Sequence, residues 1–281
     1  MIPSRKAPRV PSILITGVSS GLGHALAVKA HGEGWRVFGT VRDNQHPETY
    51  DLPAEVTLYR LDLRFSRALE ALARRFMAEN GLPPDVLVNN AGYTMYSPVE
   101  EADSQATRDI FQVNTFAPVE LTRAFLPAMR TRGSGTIVNV TSLGGRMVFP
   151  FFTTYNASKH ALEGFSEGLW HELRPFGIRV KAVEPGYVDT PIYRAMEERA
   201  EPTGPYARFL TAMNAFSRGV TNRTSPADAA GEVWVAIMDA SDRLRYPVAA
   251  YARPLIAARR LLGDQRVMRF MHRRWMGRDS G

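Results

Sequence analysis

Short apolar runs alternate along this chain with longer stretches of helical period, which predicts strands and helices in turn. Ser12 to Thr16 is a strand-sized apolar run; it enters a glycine-rich turn and then a helix pattern, Ala25 to Ala30. Arg36 to Val41 and Val56 to Leu61 read as the next two strands. Leu69, Leu72, Ala73 and Phe76 form a helical stripe between 67 and 80, closed by Gly81 and Pro83. Val86 to Val88 is a further strand, and residues 104 to 130 read as one long helix. Pro118 marks a bend there, because proline removes a helical hydrogen bond. The run Ile137 to Val140 is a buried strand, and Leu162, Phe165, Leu169 and Leu173 recur at three- and four-residue steps in a helix reaching Phe176. Ile178 to Val183 is a sixth strand that Pro185-Gly186 ends. Ser225-Pro226 starts a helix through Met238 as N-cap and first helical position, and Pro247 to Tyr251 reads as a last strand.

Two residues at the start of the long helix after Val140 bring chemistry into this frame. Tyr155 and Lys159 are four residues apart, so a helix places both on one face with the ammonium close to the phenol. A free phenol titrates near ~10, and a neighbouring positive charge favours its ionised form. Ser142 follows the Ile137 to Val140 strand, and its hydroxyl can hydrogen-bond a substrate oxygen in the same region.

The first strand and its turn point to a nucleotide. Gly17, Gly21 and Gly23 let the backbone approach a pyrophosphate, while the amides and dipole of the following helix attract its charge. A dinucleotide site discriminates at the end of its second strand: a carboxylate there receives the ribose 2′-hydroxyl of NAD, and a cation receives the 2′-phosphate of NADP. That position is Val41, followed by Arg42, which favours NADP(H); Asp43 comes next.

TGVSSGLG at 16 to 23, NNAG at 89 to 92, Asn114 in VNTFAP, Ser142, the Tyr155/Lys159 pair and PGYVDT at 185 to 190 come in a fixed order. In that order and spacing the chain resembles the short-chain dehydrogenase/reductase family in its compact one-domain form, over roughly residues 12 to 250. The resemblance implies a single doubly wound, Rossmann-like α/β domain with a parallel sheet and helices on both faces. It implies hydride transfer between nicotinamide C4 and a carbonyl or alcohol carbon, with Tyr155 as general acid/base, Ser142 holding the oxygen and Lys159 lowering the phenol's pKa. Asn114 is expected to distort its helix and to hold a water linking Lys159 to solvent. Cofactor contacts are expected from Gly17, Ser19, Ser20, Gly21, Leu22, Gly23, Asp62 and Leu63 at the phosphate and adenine end. Asn89, Ala91, Gly92, Pro185, Gly186, Val188 and Thr190, with Tyr155 and Lys159, would serve the ribose and nicotinamide. Ser20 stands where the family often has a second basic residue, so the NADP(H) preference rests on Arg42. The family commonly forms homodimers or homotetramers. An NAD-linked alcohol dehydrogenase and a non-catalytic NADP(H) sensor remain the rivals.

From Pro191 to Thr224 no family motif survives, as expected of a lid over substrate. Its apolar members, Tyr193 among them, together with Met147, Phe149, Phe152 and Tyr187, suggest a lipophilic ketone or alcohol.

Composition narrows the picture further. The 281 residues are 44% hydrophobic and 22% charged, enough for one large core. There is no cysteine, which removes disulfides, thiolate catalysis and Cys-based metal sites, and the six histidines are not spaced as metal ligands. The net charge of +7 divides into +3 in residues 1 to 11 and +6 in residues 253 to 281, leaving −2 for the catalytic body at 12 to 252, so nothing points to nucleic acid. No stretch has signal-peptide or membrane-spanning character, and the chain reads as cytoplasmic. In the tail, Leu261, Met268, Met271 and Trp275 keep roughly helical spacing among arginines. Such a basic amphipathic segment can lie on a membrane surface, cover a substrate mouth or pack on a neighbouring subunit.

Overall fold

Along three central strands, neighbouring residues serve opposite faces of a sheet. Ile13, Ile15, Val86, Val88, Val138 and Val140 join one core cluster, while Leu14, Leu87 and Ile137 join another. Both faces are therefore covered, and the strands read as continuous apolar runs. The computed structural model describes residues 9–43, 46–190 and 204–276, without the side chain of Phe216. Its seven strands are β1 (Ser12–Ile15), β2 (Arg36–Val41), β3 (Thr57–Arg60), β4 (Val86–Asn89), β5 (Gly135–Val140), β6 (Ile178–Pro185) and β7 (Arg245–Val248). They form one sheet in the order β3-β2-β1-β4-β5-β6-β7, parallel at every pairing. The last strand starts two residues before the predicted Pro247.

One face carries α1 (Gly21–Gly32) and, beyond the motif region, the helix at Pro226–Met238; Leu26, Ala229 and Val233 lie in their shared core. Ser225 caps that second helix as predicted, its hydroxyl accepting from the Asp228 amide at 3.1 Å. The other face carries α2 (Ser66–Asn80), α3 (Ser104–Phe111), α4 (Ala117–Arg132) and α5 (Thr153–Leu173). The long helix expected over 104 to 130 is interrupted by a π-turn at Gln112–Phe116, between α3 and α4, which contains Asn114. Pro118 follows directly after it, as the second residue of α4.

The remaining helices are α6 (Ala207–Arg218), α7 (Pro226–Met238), α8 (Ala252–Leu262) and α9 (Asp264–Trp275). The tail is thus a helical hairpin broken at Gly263, whose φ of +78 suits glycine. Its buried Ile256, Val267, Met271 and Trp275 pack with Tyr96, Leu143, Met147, Phe151, Leu210 and Met213 in a third core cluster.

Because all strands are parallel, their carboxyl ends lie on one edge of the sheet. β2 and β4 run on either side of β1, so the chain direction reverses there. A ligand crevice forms at such a switch point.

Candidate active site

That crevice is a cleft of about 490 Å³ running from the end of β2 to the end of β6. Its phosphate-side wall is the β1–α1 turn. Gly17 has φ +72, and a Cβ there would meet the Ala91 Cβ at 2.8 Å. A Cβ at Gly23 would lie 2.1 Å from the Gly17 carbonyl oxygen, so no larger residue fits. The turn is tied to the neighbouring strands through polar groups: the Gly17 amide donates to the Thr40 hydroxyl at 3.1 Å. Asn90 Nδ2 donates to the Thr16 and Gly17 carbonyls at 2.9 and 3.0 Å. The Thr16 hydroxyl in turn accepts from the Asn90 and Ala91 amides at 3.0 Å each.

These residues fit a bound dinucleotide. The N-cap Ser20 makes no side-chain cap bond, and the first turn of α1 holds no acid. The helix amides beside Ser19 and Gly21 are therefore not used up by side chains, and both residues line the cleft.

At the far end, Arg42 follows β2 as predicted and lines both the cleft and an adjoining groove with Arg60 and Arg64. Arg60 Nε donates to the Arg42 carbonyl at 3.1 Å, which fixes that backbone against β3. Asp62 is at the predicted place, and Arg64 grips both its oxygens, at 3.1 Å through Nε and 2.6 Å through a terminal nitrogen. That hydrogen-bonded guanidinium holds the Asp62 carboxyl below its ordinary range.

The reactive end combines β5, α5 and β6. Ser142 follows β5, and its hydroxyl oxygen accepts from the Gly144 amide at 2.9 Å, which leaves the hydroxyl proton to be given elsewhere. Tyr155 and Lys159 rise from the first turns of α5, and all three side chains line the cleft. Burial pushes the Tyr155 phenol upward, and its hydrogen bond with Ser142 pulls it back. Burial brings Lys159 down to about 8, opposed by the charge of Glu163 one turn further along α5. The Lys159 ammonium donates to the Val140 carbonyl at 2.9 Å. The resemblance assigns Lys159 the task of lowering the phenol's pKa, and the Ser142 hydrogen bond pulls in that same direction.

Asn114 is fully buried beneath this end of the cleft. Its Oδ1 accepts from the Tyr93 amide at 3.1 Å, and its Nδ2 donates to the Tyr93 carbonyl at 3.0 Å and to the Ser158 hydroxyl at 3.1 Å. The π-turn delivers this side chain, because an extra residue in the turn rotates it out of the helical row.

Leu22, Leu63, Ala91, Gly92, Pro185, Gly186, Val188 and Thr190 also line the cleft where expected. Asn89 does not: its amide turns into the sheet core, donating to the Asn139 oxygen at 2.8 Å, and Asn90 takes the place at the cleft wall. Strand alternation explains this, since consecutive residues at the end of β4 point to opposite sides. Among the expected substrate residues, Phe152 is the one in ring contact with Tyr155, at 6.4 Å. Met147 is buried in the third core cluster, Phe149 packs on Trp275 at 5.6 Å, and Tyr187 packs on Tyr251 at 5.7 Å. Tyr193 lies outside the described residues. Sequence reading also passed over Thr16 and Thr40, whose only signal is their position near the ends of β1 and β2, and Arg64, which lies in the loop after β3. Among the described residues no cluster of His, Asp or Glu is placed to hold a metal ion.

A family model described as short chain dehydrogenase matches residues 11–201, and the chain belongs to that family. It is 35% identical over 194 residues to an uncharacterized oxidoreductase of Schizosaccharomyces pombe, covering 69% of this chain and 81% of that one. It is 29% identical over 265 residues to an NADPH-dependent 3-dehydrocapnine reductase of Ornithobacterium rhinotracheale, covering 90% and 93%. Among solved structures, a short-chain dehydrogenase from Streptomyces avermitilis superposes with a TM-score of 0.79 at 31% identity, covering 98% of this chain and 100% of that one. Another from Burkholderia cenocepacia, in complex with NADP, gives 0.73 at 27% identity, covering 95% and 98%. One from Burkholderia phymatum, in complex with NAD, gives 0.77 at 26% identity, covering 93% and 95%. The protein is an oxidoreductase of this family, and two of these structural relatives hold a nicotinamide dinucleotide, NADP in one and NAD in the other.

Proposed function

We propose that this chain is an NADP(H)-dependent oxidoreductase acting on a carbonyl or secondary alcohol of a lipophilic substrate, with Tyr155 as general acid/base. The observation that carries the reading is the convergence of Ser142, Tyr155 and Lys159 on one end of the cleft whose other end is lined by Arg42. Bound nicotinamide would supply or accept the hydride. Gly17, Ser19, Gly21 and Gly23 would hold the pyrophosphate, and Pro185, Gly186, Val188 and Thr190 would border the nicotinamide ring. In the reductive direction, negative charge grows on the carbonyl oxygen; the Ser142 hydroxyl donates to that oxygen and Tyr155 delivers the proton. Lys159 lies next on α5 to restore the phenol's proton, and Asn114 holds the Tyr93 backbone, which follows the Gly92 that lies against the ammonium.

Support for NADP(H) comes from the arginines around Arg42 and the absence of a carboxylate at Val41, and the NADPH-dependent relative agrees. Support for an apolar substrate comes from Phe152, which faces Tyr155, and from Tyr96 and Phe151 behind it. Assembly as a homodimer or homotetramer belongs to the same proposal.

Two measurements test it. Calorimetry should find NADPH bound at least tenfold more tightly than NADH, and the reverse order would defeat the Arg42 assignment. Tyr155→Phe should bind NADPH as the wild type does while losing nearly all turnover with lipophilic ketones. Retained turnover would remove Tyr155 from the chemistry.

A further inference from the structure

We infer that the outer face of the α8–α9 hairpin is a docking surface for an anionic lipid bilayer. In α9, Val267, Met271 and Trp275 recur every fourth residue and are buried in the third core cluster, which uses up the inner face. The opposite face presents Arg266, Arg269, Phe270 and Arg273, again at three- and four-residue steps, and all are exposed. In α8, Ala252 and Ile256 are buried, and the opposite row is Pro254, Ala257 and Leu261. Phe270 is 70% exposed and Leu261 83% exposed, although both sit in regular, well-packed helices.

Charge selects the occupant. The only acid between Ala252 and Met276 is Asp264, and Arg259 already binds it at 2.6 Å, so it does not offset the outer arginines. A second copy docked through a two-fold axis would set this arginine face against itself without facing carboxylates. A purely polyanionic partner would take up the arginines and leave Leu261 and Phe270 in water. A bilayer surface receives both, with headgroup phosphates for the guanidiniums and the acyl boundary for the apolar side chains. No helix among the described residues is long and apolar enough to cross a membrane, so the contact is peripheral.

The location suits an enzyme of membrane-dissolved molecules. The hairpin's inner face rests on Met147 and Phe149, in the segment that joins Ser142 to Tyr155, and Arg259 also binds the Arg146 carbonyl there. A docked hairpin would hold that segment, which connects Ser142 to Tyr155, near the lipid surface.

The test is co-sedimentation of the full chain with phosphatidylcholine vesicles, with and without phosphatidylglycerol. Wild type is expected to pellet with the anionic vesicles, less so as salt rises, and to stay in solution with the neutral ones. R266Q/R269Q/R273Q should partition on the order of 100-fold more weakly. L261E/F270E should also lose binding while keeping NADPH affinity and the thermal transition, since both side chains lie outside the core. Three results would overturn the inference: no wild-type binding to anionic vesicles at low salt, undiminished binding by L261E/F270E, or a split oligomer in gel filtration of either variant without an effect on vesicles.

Discussion

The Lys159 ammonium is held by the Val140 carbonyl, 2.9 Å away at the end of the strand that leads to Ser142. This contact ties α5 to β5 behind the reacting groups, and it does so with a buried charge. Burial, opposed by Glu163, lowers the ammonium's pKa from 10.5 to about 8. Between those two values the unfolded chain keeps a proton that the folded chain has released, so this group's contribution to stability rises with pH across that window and is flat below it. At neutral pH the fold therefore carries the full cost of the buried ammonium. Lys159→Met should raise stability at pH 7 by about 1–2 kcal/mol while abolishing turnover, and the gain should shrink above pH 8. Scanning calorimetry at several pH values measures this; a variant less stable than wild type at pH 7 would mean that the Val140 bond outweighs desolvation.

Gly92 keeps Lys159 and Asn114 in register. A Cβ at this position would sit 2.8 Å from Asn114 Oδ1 and 3.4 Å from Lys159 Nζ. Asn114 has little room to yield, because three hydrogen bonds to Tyr93 and Ser158 fix its amide. Gly92→Ala should cost about 1–3 kcal/mol of stability through overpacking and lower kcat on the order of tenfold. Cofactor affinity, governed mainly by the opposite end of the cleft, should change much less. An equal loss in both would place Gly92 in the binding surface and not in the alignment of Lys159.

Where the chain's information is local, the sequence was sufficient. Gly17 and Gly23 sit in a strand-turn-helix whose close approaches admit no Cβ, and Tyr155 and Lys159 share a helix face by spacing alone. The distortion at 112–116 was legible only through the family resemblance, which places one at Asn114; the spacing alone reads one helix, because the partner that fixes the turn is the backbone of Tyr93, 21 residues away from Asn114. Asn89 and Asn90 are chemically identical, and only the pleat at the end of β4 decides which one meets the cleft. Met147 and Phe149 look the same in sequence whether they face a substrate or a distant helix. Trp275 and Met271, more than 100 residues later, settle that these two belong to the tail's packing.

Behind the catalytic end lies a second buried charge cluster, assembled from residues far apart in the chain. Glu184, 1% exposed on β6, is 3.3 Å from Arg146 and 3.6 Å from Arg245, with Glu163 held by the same two arginines. Burial and the Glu163 charge raise the Glu184 carboxyl from 4.5 to about 7, against the pull of Arg146, Arg245 and Arg260. From pH 4.5 to about 7 the folded chain holds a proton that the unfolded chain has lost, so stability from this group falls as pH rises through that window. Glu184→Gln should remove the fall. Relative to wild type, the variant should gain about 1–3 kcal/mol between pH 4.5 and 7.5 in urea titrations. A constant difference across that range would mean that Glu184 stays ionised beside its arginines.

Arg64 poses the sharpest question about cofactor choice. Its guanidinium is committed to both oxygens of Asp62, yet it faces the groove shared with Arg42 and Arg60, where a ribose 2′-phosphate would lie. Two roles have different signatures. If Arg64 contributes charge to a phosphate, Arg64→Gln removes a charge-assisted bond worth about 1.5–3 kcal/mol, and only ligands with a 2′-phosphate feel it. If it only orients Asp62 toward the adenine, every adenine nucleotide weakens alike. The groove's three arginines favour the first role, because among the described residues they outnumber the two carboxylates lining it, Asp62 and Asp43. Calorimetry of Arg64→Gln should therefore show NADPH and 2′,5′-ADP binding on the order of 10- to 150-fold more weakly, with NADH and AMP nearly unchanged. Parallel losses across all four ligands would reassign Arg64 to positioning Asp62 and leave the phosphate to Arg42 and Arg60.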